Sequence, residues 1–280
     1  MLMSRKLFCQ ISPTTYKISV FKCRMVRKVK DLFSGNRFSK DRQEEFLPIV
    51  IYRHNSLIRR KLGNTELNLQ DNKAVNLAIS APKINGILIR PGETFSFWRL
   101  VGNPTESKGY KEGVTLFKNQ VKAGVGGGLC QFTNLIHWMV LHAPLTVVEH
   151  HHHDGIDLFP DYNRQVPFGT GTSILYNYLD YRFKNETDIT YQLVTYVTET
   201  HLCGELRASE NPALKYHIKT ENERFVRKGD AVYRKGKVFR ICVDKVTGNE
   251  LFRELIRDNN AKVMYNIDNL VIENDPNTEE

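Results

Sequence analysis

Three consecutive glycines lead directly into a cysteine and a helical apolar pattern. The run reads Gly126-Gly127-Gly128-Leu129-Cys130-Gln131. Apolar side chains then recur at helical spacing, at Phe132, Leu135, Ile136, Met139 and Val140. The pattern predicts a central helix over 131–142, with Cys130 at or just before its N-terminus. Because glycine adopts backbone conformations closed to other residues, the run also predicts a tight approach to that helix.

This position gives Cys130 a chemical interpretation. A thiol at a helix start lies near the positive end of the helix dipole and the unpaired N–H groups of the first turn. Both favour the thiolate, which is the nucleophilic form. A strand-like run over 145–149 follows and leads into four histidines at 150–153. This chain order resembles that of papain-like nucleophiles, and the alternative is a tight turn with a small buried thiol.

The histidine run offers a base and also a metal alternative. On an extended strand, Glu149, His151 and His153 share one face, while His150 and His152 share the other. Imidazoles two residues apart can chelate one ion, to which an aspartate at 154 or 157 would add oxygen. In the leading interpretation the run supplies a base, and we expect no cofactor and no resident metal.

Other residues are candidates for holding a reacting group. The backbone N–H groups of Gly126, Gly127 and Gly128, with that of Cys130, would stabilise an oxyanion. Candidates for substrate contact are Gln131, Arg164, Asp161, Trp98 and Tyr176. An arginine at 164 suits a carboxylate or phosphate, and its alternative role is a salt bridge to the aspartate at 161. The two aromatic side chains would line a pocket, or else pack in the core.

Several segments together resemble the VanW family of vancomycin-resistance accessory proteins. The resemblance runs from about Tyr52 to near Tyr265. It rests on the glycine–cysteine run and on Asn134-Leu135, His137-Trp138, Leu141-His142-Ala143-Pro144-Leu145, Pro91-Gly92-Glu93-Thr94-Phe95-Ser96-Phe97-Trp98, Gly109-Tyr110-Lys111-Glu112-Gly113, Phe159-Pro160-Asp161, Arg164, Pro167-Phe168-Gly169 and Tyr176-Asn177-Tyr178. It implies a link to the bacterial envelope or to glycopeptide resistance, with a cell-wall peptide or its lipid-linked precursor as substrate.

The resemblance also ranks the histidines. Proteins of the family tend to show a glutamate followed four residues later by a histidine, which matches Glu149 and His153 here. We therefore take His153 as the first choice of base and His151 as the second. More distant members carry an aspartate where this chain has Gly171-Thr172. The carboxylate that orients the imidazole would then come from position 154, 157 or 161 in the loop.

Charge is concentrated at the N-terminal end. Residues 1–61 hold 15 Lys/Arg and 4 Asp/Glu, whereas the remainder holds 25 and 27. The basic arm is a candidate for an anionic membrane surface, with Phe21, Val26, Val29, Leu32 and Phe33 entering the interface. The alternative is a solvated helix packed on the main domain. Without a nucleic-acid-reading motif, we expect no nucleic-acid partner.

Compartment and architecture follow from composition and spacing. No clean secretion signal and no membrane-spanning apolar run is apparent, and the five cysteines form no disulfide pattern. We expect cytoplasmic residence, with peripheral attachment to the inner membrane face left open. The predicted organisation is a basic helical region over 1–62, a core over 63–208, a β-rich extension over 209–272 and an acidic disordered tail over 273–280.

The predicted fold class is α+β, with a mainly antiparallel sheet packed on the helix that starts at the glycine–cysteine run. Helices are expected over 12–32, 42–62 and 68–81. Strands are expected over 87–89, 202–208 and 238–243. The segments 172–184 and 189–200 read as one antiparallel hairpin, and further hairpin turns are expected at 235–237 and 247–249.

Three functions remain open on the sequence. The leading one is a Cys–His amide hydrolase or acyl transferase with Cys130 as nucleophile, although enzymatic activity itself is uncertain. The second is a non-catalytic accessory module that binds an anionic envelope component. The third is a zinc-dependent hydrolase that uses the histidines at 150–153.

Overall fold

Four α-helices and fifteen strands make up the part of the chain that the computed structural model describes, residues 7–59, 67–117, 120–152, 155–158, 160 and 165–274. The helices are α1 (Pro13–Phe33), α2 (Leu67–Ile84), α3 (Phe97–Val101) and α4 (Cys130–Val140). The strands are β1 (Arg37–Phe38), β2 (Ile49–Leu57), β3 (Ile87–Ile89), β4 (Glu93–Ser96), β5 (Glu112–Phe117), β6 (Gln120–Val125), β7 (Thr146–Glu149), β8 (Ile156–Asp157), β9 (Arg182–Lys184), β10 (Tyr191–Val197), β11 (His201–Ala208), β12 (Leu214–Lys228), β13 (Ala231–Asp244), β14 (Glu250–Val263) and β15 (Ile272–Asn274). The predicted α+β class is confirmed.

Local signals set three of the helices where the sequence predicts them. α1 begins after Ser12, whose hydroxyl accepts a hydrogen bond from the Thr15 N–H at 3.2 Å and so caps the first turn. The helix ends at Phe33, two residues before Gly35, which adopts a left-handed φ of 69°. α2 and α4 cover the predicted segments to within a few residues, and α4 begins at Cys130 itself.

The strands form three larger sheets and one hairpin among the described residues. Their orders are β1-β4-β9-β7, β2-β11-β10-β3 and β15-β12-β13-β14-β8, with β5 and β6 paired alone. Most neighbouring strands are antiparallel, as predicted. α4 contacts β2 and β11, and α2 contacts β10, so the second sheet and these helices enclose the main apolar core.

The predicted helix over 42–62 is wrong, because residues 49–57 form β2. This strand pairs with β11 from Ile49↔Ala208 to Leu57↔His201, with one irregularity near Leu206. Its β-branched start, Ile-Val-Ile, suits a pleated strand better than a helix. The partner strand lies about 150 residues further along the chain, so no local sequence pattern predicts the pairing.

The predicted hairpin of 172–184 with 189–200 is also wrong. The chain does turn at Asn185, whose side chain accepts from Thr187 N–H and donates to the Ile189 carbonyl. However, β9 pairs with β4 and β7, whereas β10 pairs with β11 and β3. The two strands therefore belong to different sheets, and the turn joins two layers.

The C-terminal part is a sheet of long strands. β12, β13 and β14 pair antiparallel and contain 14 or 15 residues each. The predicted turn at 247–249 joins β13 to β14, whereas 235–237 lies inside β13 and is not a turn. The parallel pairing of β14 with β8 connects this sheet to the loop that follows the histidine run. The predicted domain boundaries stay predictions.

Candidate functional site

Cys130 occupies the first position of α4, as the sequence predicts, but its electrostatic environment differs from the expectation. The side chain is half-buried, and burial raises the pKa of its thiol above the ordinary value. Backbone hydrogen bonds from Ile174 and from Cys130 itself oppose this rise without reversing it. The expected stabilisation of the thiolate by the helix start is therefore outweighed, and the thiol is protonated at neutral pH.

The three glycines make backbone hydrogen bonds within the fold. The N–H groups of Gly126, Gly127 and Gly128 donate to the carbonyls of Lys111, Gly124 and Val114, at 2.9–3.0 Å. A Cβ atom at Gly127 would overlap the backbone of Gly113, and Gly128 has a left-handed φ of 89°. Glycine is thus required here for close backbone packing. The role of these N–H groups as oxyanion donors stays a prediction.

The first turns of α4 are tied to two neighbouring segments. Gln131, predicted to contact substrate, donates through Nε2 to the Ser56 hydroxyl at 2.8 Å and to the Leu57 carbonyl at 2.9 Å. It therefore anchors the end of β2. On the other side, Asn134 Oδ1 accepts from the Thr172 N–H at 2.6 Å and from its hydroxyl at 2.8 Å. The 172–174 segment is thereby held against the helix that carries Cys130.

The histidines alternate between two environments, as expected for extended chain. The ring of His150 meets that of His152 edge-on and that of His137 of α4 at a tilt, with ring centroids 4.0 and 4.1 Å apart. Its Nε2 lies 3.0 Å from the Gly171 carbonyl, and burial lowers its pKa to about 4. His150 is therefore neutral at neutral pH and turned inward. His151 faces the opposite way, with 35% of its side chain exposed.

Glu149 is the carboxylate that orients His151. Its Oε1 lies 3.1 Å from His151 Nε2 and also accepts the Asp180 N–H at 2.9 Å. The sequence predicts that Glu149 and His151 share one strand face, but the orienting carboxylate was expected in the following loop. The spacing of two residues is the sequence signal from which this pair could have been found. Asp157, one of the loop candidates, instead accepts from Tyr265 and Arg234.

A short segment connects this pair with Cys130. The Ser173 N–H donates to the His151 carbonyl at 2.7 Å, and the next residue, Ile174, makes the backbone hydrogen bond to the Cys130 thiol. Cys130 and His151 therefore contact consecutive residues of one extended segment. The arrangement brings a half-buried thiol, a half-buried imidazole and its carboxylate partner into the same part of the fold.

Arginines of α1 and β9 surround the carboxylates behind His151. Arg27 of α1 binds both carboxylate oxygens of Glu149, and Arg182 binds Asp31 of α1 bidentately at 2.7 and 2.8 Å. Arg182 Nε also donates to Asp180 at 2.7 Å. Burial raises the pKa values of Asp31 and Glu149, but the hydrogen bonds and charges of Arg182 and Arg27 lower both below their ordinary values.

The aromatic candidates Trp98 and Tyr176 contact each other, and their role in substrate contact stays a prediction. Trp98 is 6% exposed, donates through Nε1 to the Leu179 carbonyl at 2.9 Å and meets Tyr176 edge-on at 5.5 Å. The guanidinium of Arg24 lies over the ring of Tyr176, with its central carbon 4.9 Å from the ring centroid.

Four predicted residues lie outside the described residues: His153, Asp154, Asp161 and Arg164. Within the described ranges, no three His, Cys, Asp or Glu side chains converge as metal ligands.

The sequence that builds this site is similar to the sequences of known proteins. The family model described as "VanW like protein" matches residues 72–207, which include α4, β7 and the 172–174 segment. Vancomycin B-type resistance protein VanW of Enterococcus faecalis is 32% identical over 233 residues, which cover 83% of this chain and 84% of that protein. The chain belongs to the VanW family. The chain is also similar to the uncharacterized protein YoaR of Bacillus subtilis, with 33% identity over 114 residues. This match covers 40% of this chain and 35% of YoaR. No solved structure matches significantly.

Substituting Gly127 by alanine tests the packing role of the glycines. Because the new Cβ would overlap the rigid backbone of Gly113, we expect Gly127→Ala to lower the free energy of unfolding by about 1–3 kcal/mol. Gly171→Ala is the matched control, since its Cβ would meet Asn134 Oδ1 only at 3.9 Å. Chemical denaturation measures both. Equal stability of Gly127→Ala and the wild type would contradict this role.

The buried carboxylates predict an acid-dependent loss of stability. The folded-state pKa values of Asp31 and Glu149 lie below the ordinary 3.8 and 4.5. Their contribution to the free energy of unfolding is therefore fully present at pH values above these ordinary pKa values. It is lost as the pH falls through the lower pKa values of the folded state. We expect Asp31→Asn with Glu149→Gln to lower the unfolding free energy at neutral pH and to flatten its decline in acid. Glu210→Gln, at an exposed site, should retain the wild-type slope.

Proposed function

We propose that this VanW-family chain acts in glycopeptide resistance at the cell envelope as a thiol-dependent amide hydrolase or acyl transferase. Cys130 is the nucleophile, His151 is the base and Glu149 orients the imidazole. The substrate is a cell-wall peptide or its lipid-linked precursor. The link to resistance rests on the relative named as a vancomycin B-type resistance protein. The substrate class rests on the resemblance of the sequence motifs.

The observation that carries the catalytic assignment is the 173–174 segment. One of its residues hydrogen-bonds to the His151 carbonyl, and the next contacts the Cys130 thiol. Glu149 accepts from His151 at 3.1 Å and is kept as a carboxylate by Arg27. Nucleophile, base and orienting carboxylate are the three parts of a thiol or hydroxyl triad.

The raised thiol pKa defines the order of the proton transfers. Because Cys130 is protonated at rest, its proton must pass to His151 as sulfur attacks the carbonyl carbon. The imidazolium then protonates the departing amine, and a thioester remains on Cys130. Water or an acceptor amine resolves the thioester, which gives hydrolysis or acyl transfer. The Cys130 N–H is the donor assigned to the oxyanion, since the glycine N–H groups bind carbonyls in this conformation.

Variants of the three residues test the assignment. With synthetic cell-wall stem peptides as substrates, we expect Cys130→Ala to abolish turnover and His151→Ala to reduce kcat about 10²–10⁴-fold. Mass spectrometry should trap an acyl group on Cys130 in the wild type. Cys9→Ser, at another half-buried thiol, should leave turnover unchanged. Full activity of Cys130→Ala would remove the nucleophile from the proposal.

A second candidate function is a non-catalytic accessory module. It is favoured by the raised pKa of Cys130 and by the engagement of all three glycine N–H groups, which suit a structural turn. In such a module Cys130 would fill space at the start of α4, and serine or alanine would replace it with little effect on resistance. The two candidate functions differ in one testable respect. In the enzyme, His151 accepts the proton of the Cys130 thiol, whereas in the accessory module it does not.

Alkylation of each cysteine as a function of pH distinguishes them. Burial places the midpoint for Cys130 above that of an ordinary free thiol in either case. If His151 accepts the thiol proton, His151→Ala should slow alkylation of Cys130 at neutral pH while the rate at Cys9 stays constant. Peptide mass spectrometry reads both rates in one sample. An unchanged Cys130 rate in His151→Ala favours the accessory module.

A further inference from the structure

The first helix turns its polar side inward and its apolar side outward. The half-buried positions of α1 lie on one side of the helix and are mostly polar: Thr15, Ser19, Val20, Cys23, Arg24, Arg27 and Asp31. The opposite side carries exposed apolar side chains with helical spacing of three and four residues, at Ile18, Phe21, Met25, Val29 and Leu32. Leu32 and Phe33 at its end are 78% and 81% exposed. We call the set Ile18, Phe21, Met25, Val29, Leu32 and Phe33 the outer face.

Ion pairs and a hydrogen bond fix the helix in this orientation. Arg27 binds Glu149, Asp31 binds Arg182, and Asn177 Nδ2 donates to the Arg24 carbonyl at 3.4 Å. Asp31 also lies 3.8 Å from Arg99 of α3. Because these contacts fix the rotation of α1 about its axis, the outer face is directed away from the folded domain. Helices normally bury the apolar side, so an exposed apolar stripe indicates a partner.

The charges on α1 indicate the chemistry of that partner. The helix contains six lysines and arginines and a single acidic residue, Asp31, which faces inward. Lys17, Lys22, Lys28 and Lys30 are exposed beside the outer face. A second copy of the chain would bring the same positive charges together, which is unfavourable. A surface with apolar depth and negative charge complements both features.

We propose that the outer face of α1 docks on an anionic phospholipid membrane. The helix lies in the plane of the interface, with its apolar side chains at the acyl boundary and its lysines at the headgroups. Within the described ranges, no helix is long and apolar enough to span a bilayer. The ion pairs of the inner side keep the folded domain attached to the docked helix. This inference does not depend on the proposed catalytic activity.

Vesicle flotation of the full chain tests the docking. We expect binding to vesicles of phosphatidylcholine with about one-third phosphatidylglycerol, weak binding to phosphatidylcholine alone, and release by salt. Lys22→Gln with Lys28→Gln should weaken partitioning about 30-fold, because each lysine near an anionic surface contributes about 1 kcal/mol. Phe21→Asp with Leu32→Asp should abolish it.

Controls separate loss of docking from loss of folding. Leu251→Asp with Leu255→Asp changes two apolar side chains of comparable exposure on β14 and should leave flotation unchanged. Circular dichroism of each variant checks that α1 and the sheets remain folded. Equal flotation with neutral vesicles would overturn the anionic specificity. Concentration-dependent dimerisation that Phe21→Asp abolishes, without vesicle binding, would assign the outer face to a second copy of the chain.

Discussion

Glu149 is bound by groups from three separate parts of the chain. Arg27 reaches it from α1, the Asp180 N–H from the segment before β9, and His151 from the extended chain after β7. The side chain is only 18% exposed, so its charge depends on these partners. Removing one partner of a buried ion pair generally costs about 3–5 kcal/mol, because the other charge is left uncompensated. Glu149 therefore takes part both in the attachment of α1 and in the orientation of His151.

The same network includes Asp180, which fixes the loop before β9. Its carboxylate accepts from the Ser96 hydroxyl at 2.5 Å, from the Trp98 N–H at 3.0 Å and from Arg182. Asp180 thus ties the start of α3 to β9. Because the side chain is nearly fully buried, each of these donors offsets part of the cost of removing the charge from water. Asp180 therefore joins the aromatic segment that contains Trp98 to the ion-pair network that contains Arg182.

Sequence reasoning succeeded where the determining interactions are local. Ser12 caps α1 by contacting Thr15, and the apolar spacing after Cys130 defines α4 within its own turns. It failed at β2 because the hydrogen-bond partner of that strand is distant in sequence. At Asn185 the turn was recognised, but the strands on either side pair with other elements. In the site, Cys130 was placed correctly at the start of α4, whereas the raised pKa of its thiol follows from burial in the folded chain, which no local pattern reports.

The raised pKa of Cys130 and the Glu149–His151 pair are chemically consistent with each other. A thiol already ionised by its helix would need only an imidazolium partner, and no carboxylate would be required to strengthen the base. A protonated thiol needs a base during attack, and a carboxylate behind the imidazole stabilises the imidazolium that results. Arg27 lowers the pKa of that carboxylate, so in the proposed reaction it would stay charged when the imidazole gains its proton. Since Arg27 belongs to α1, the helix that we propose to dock at a membrane also carries the arginine that binds Glu149.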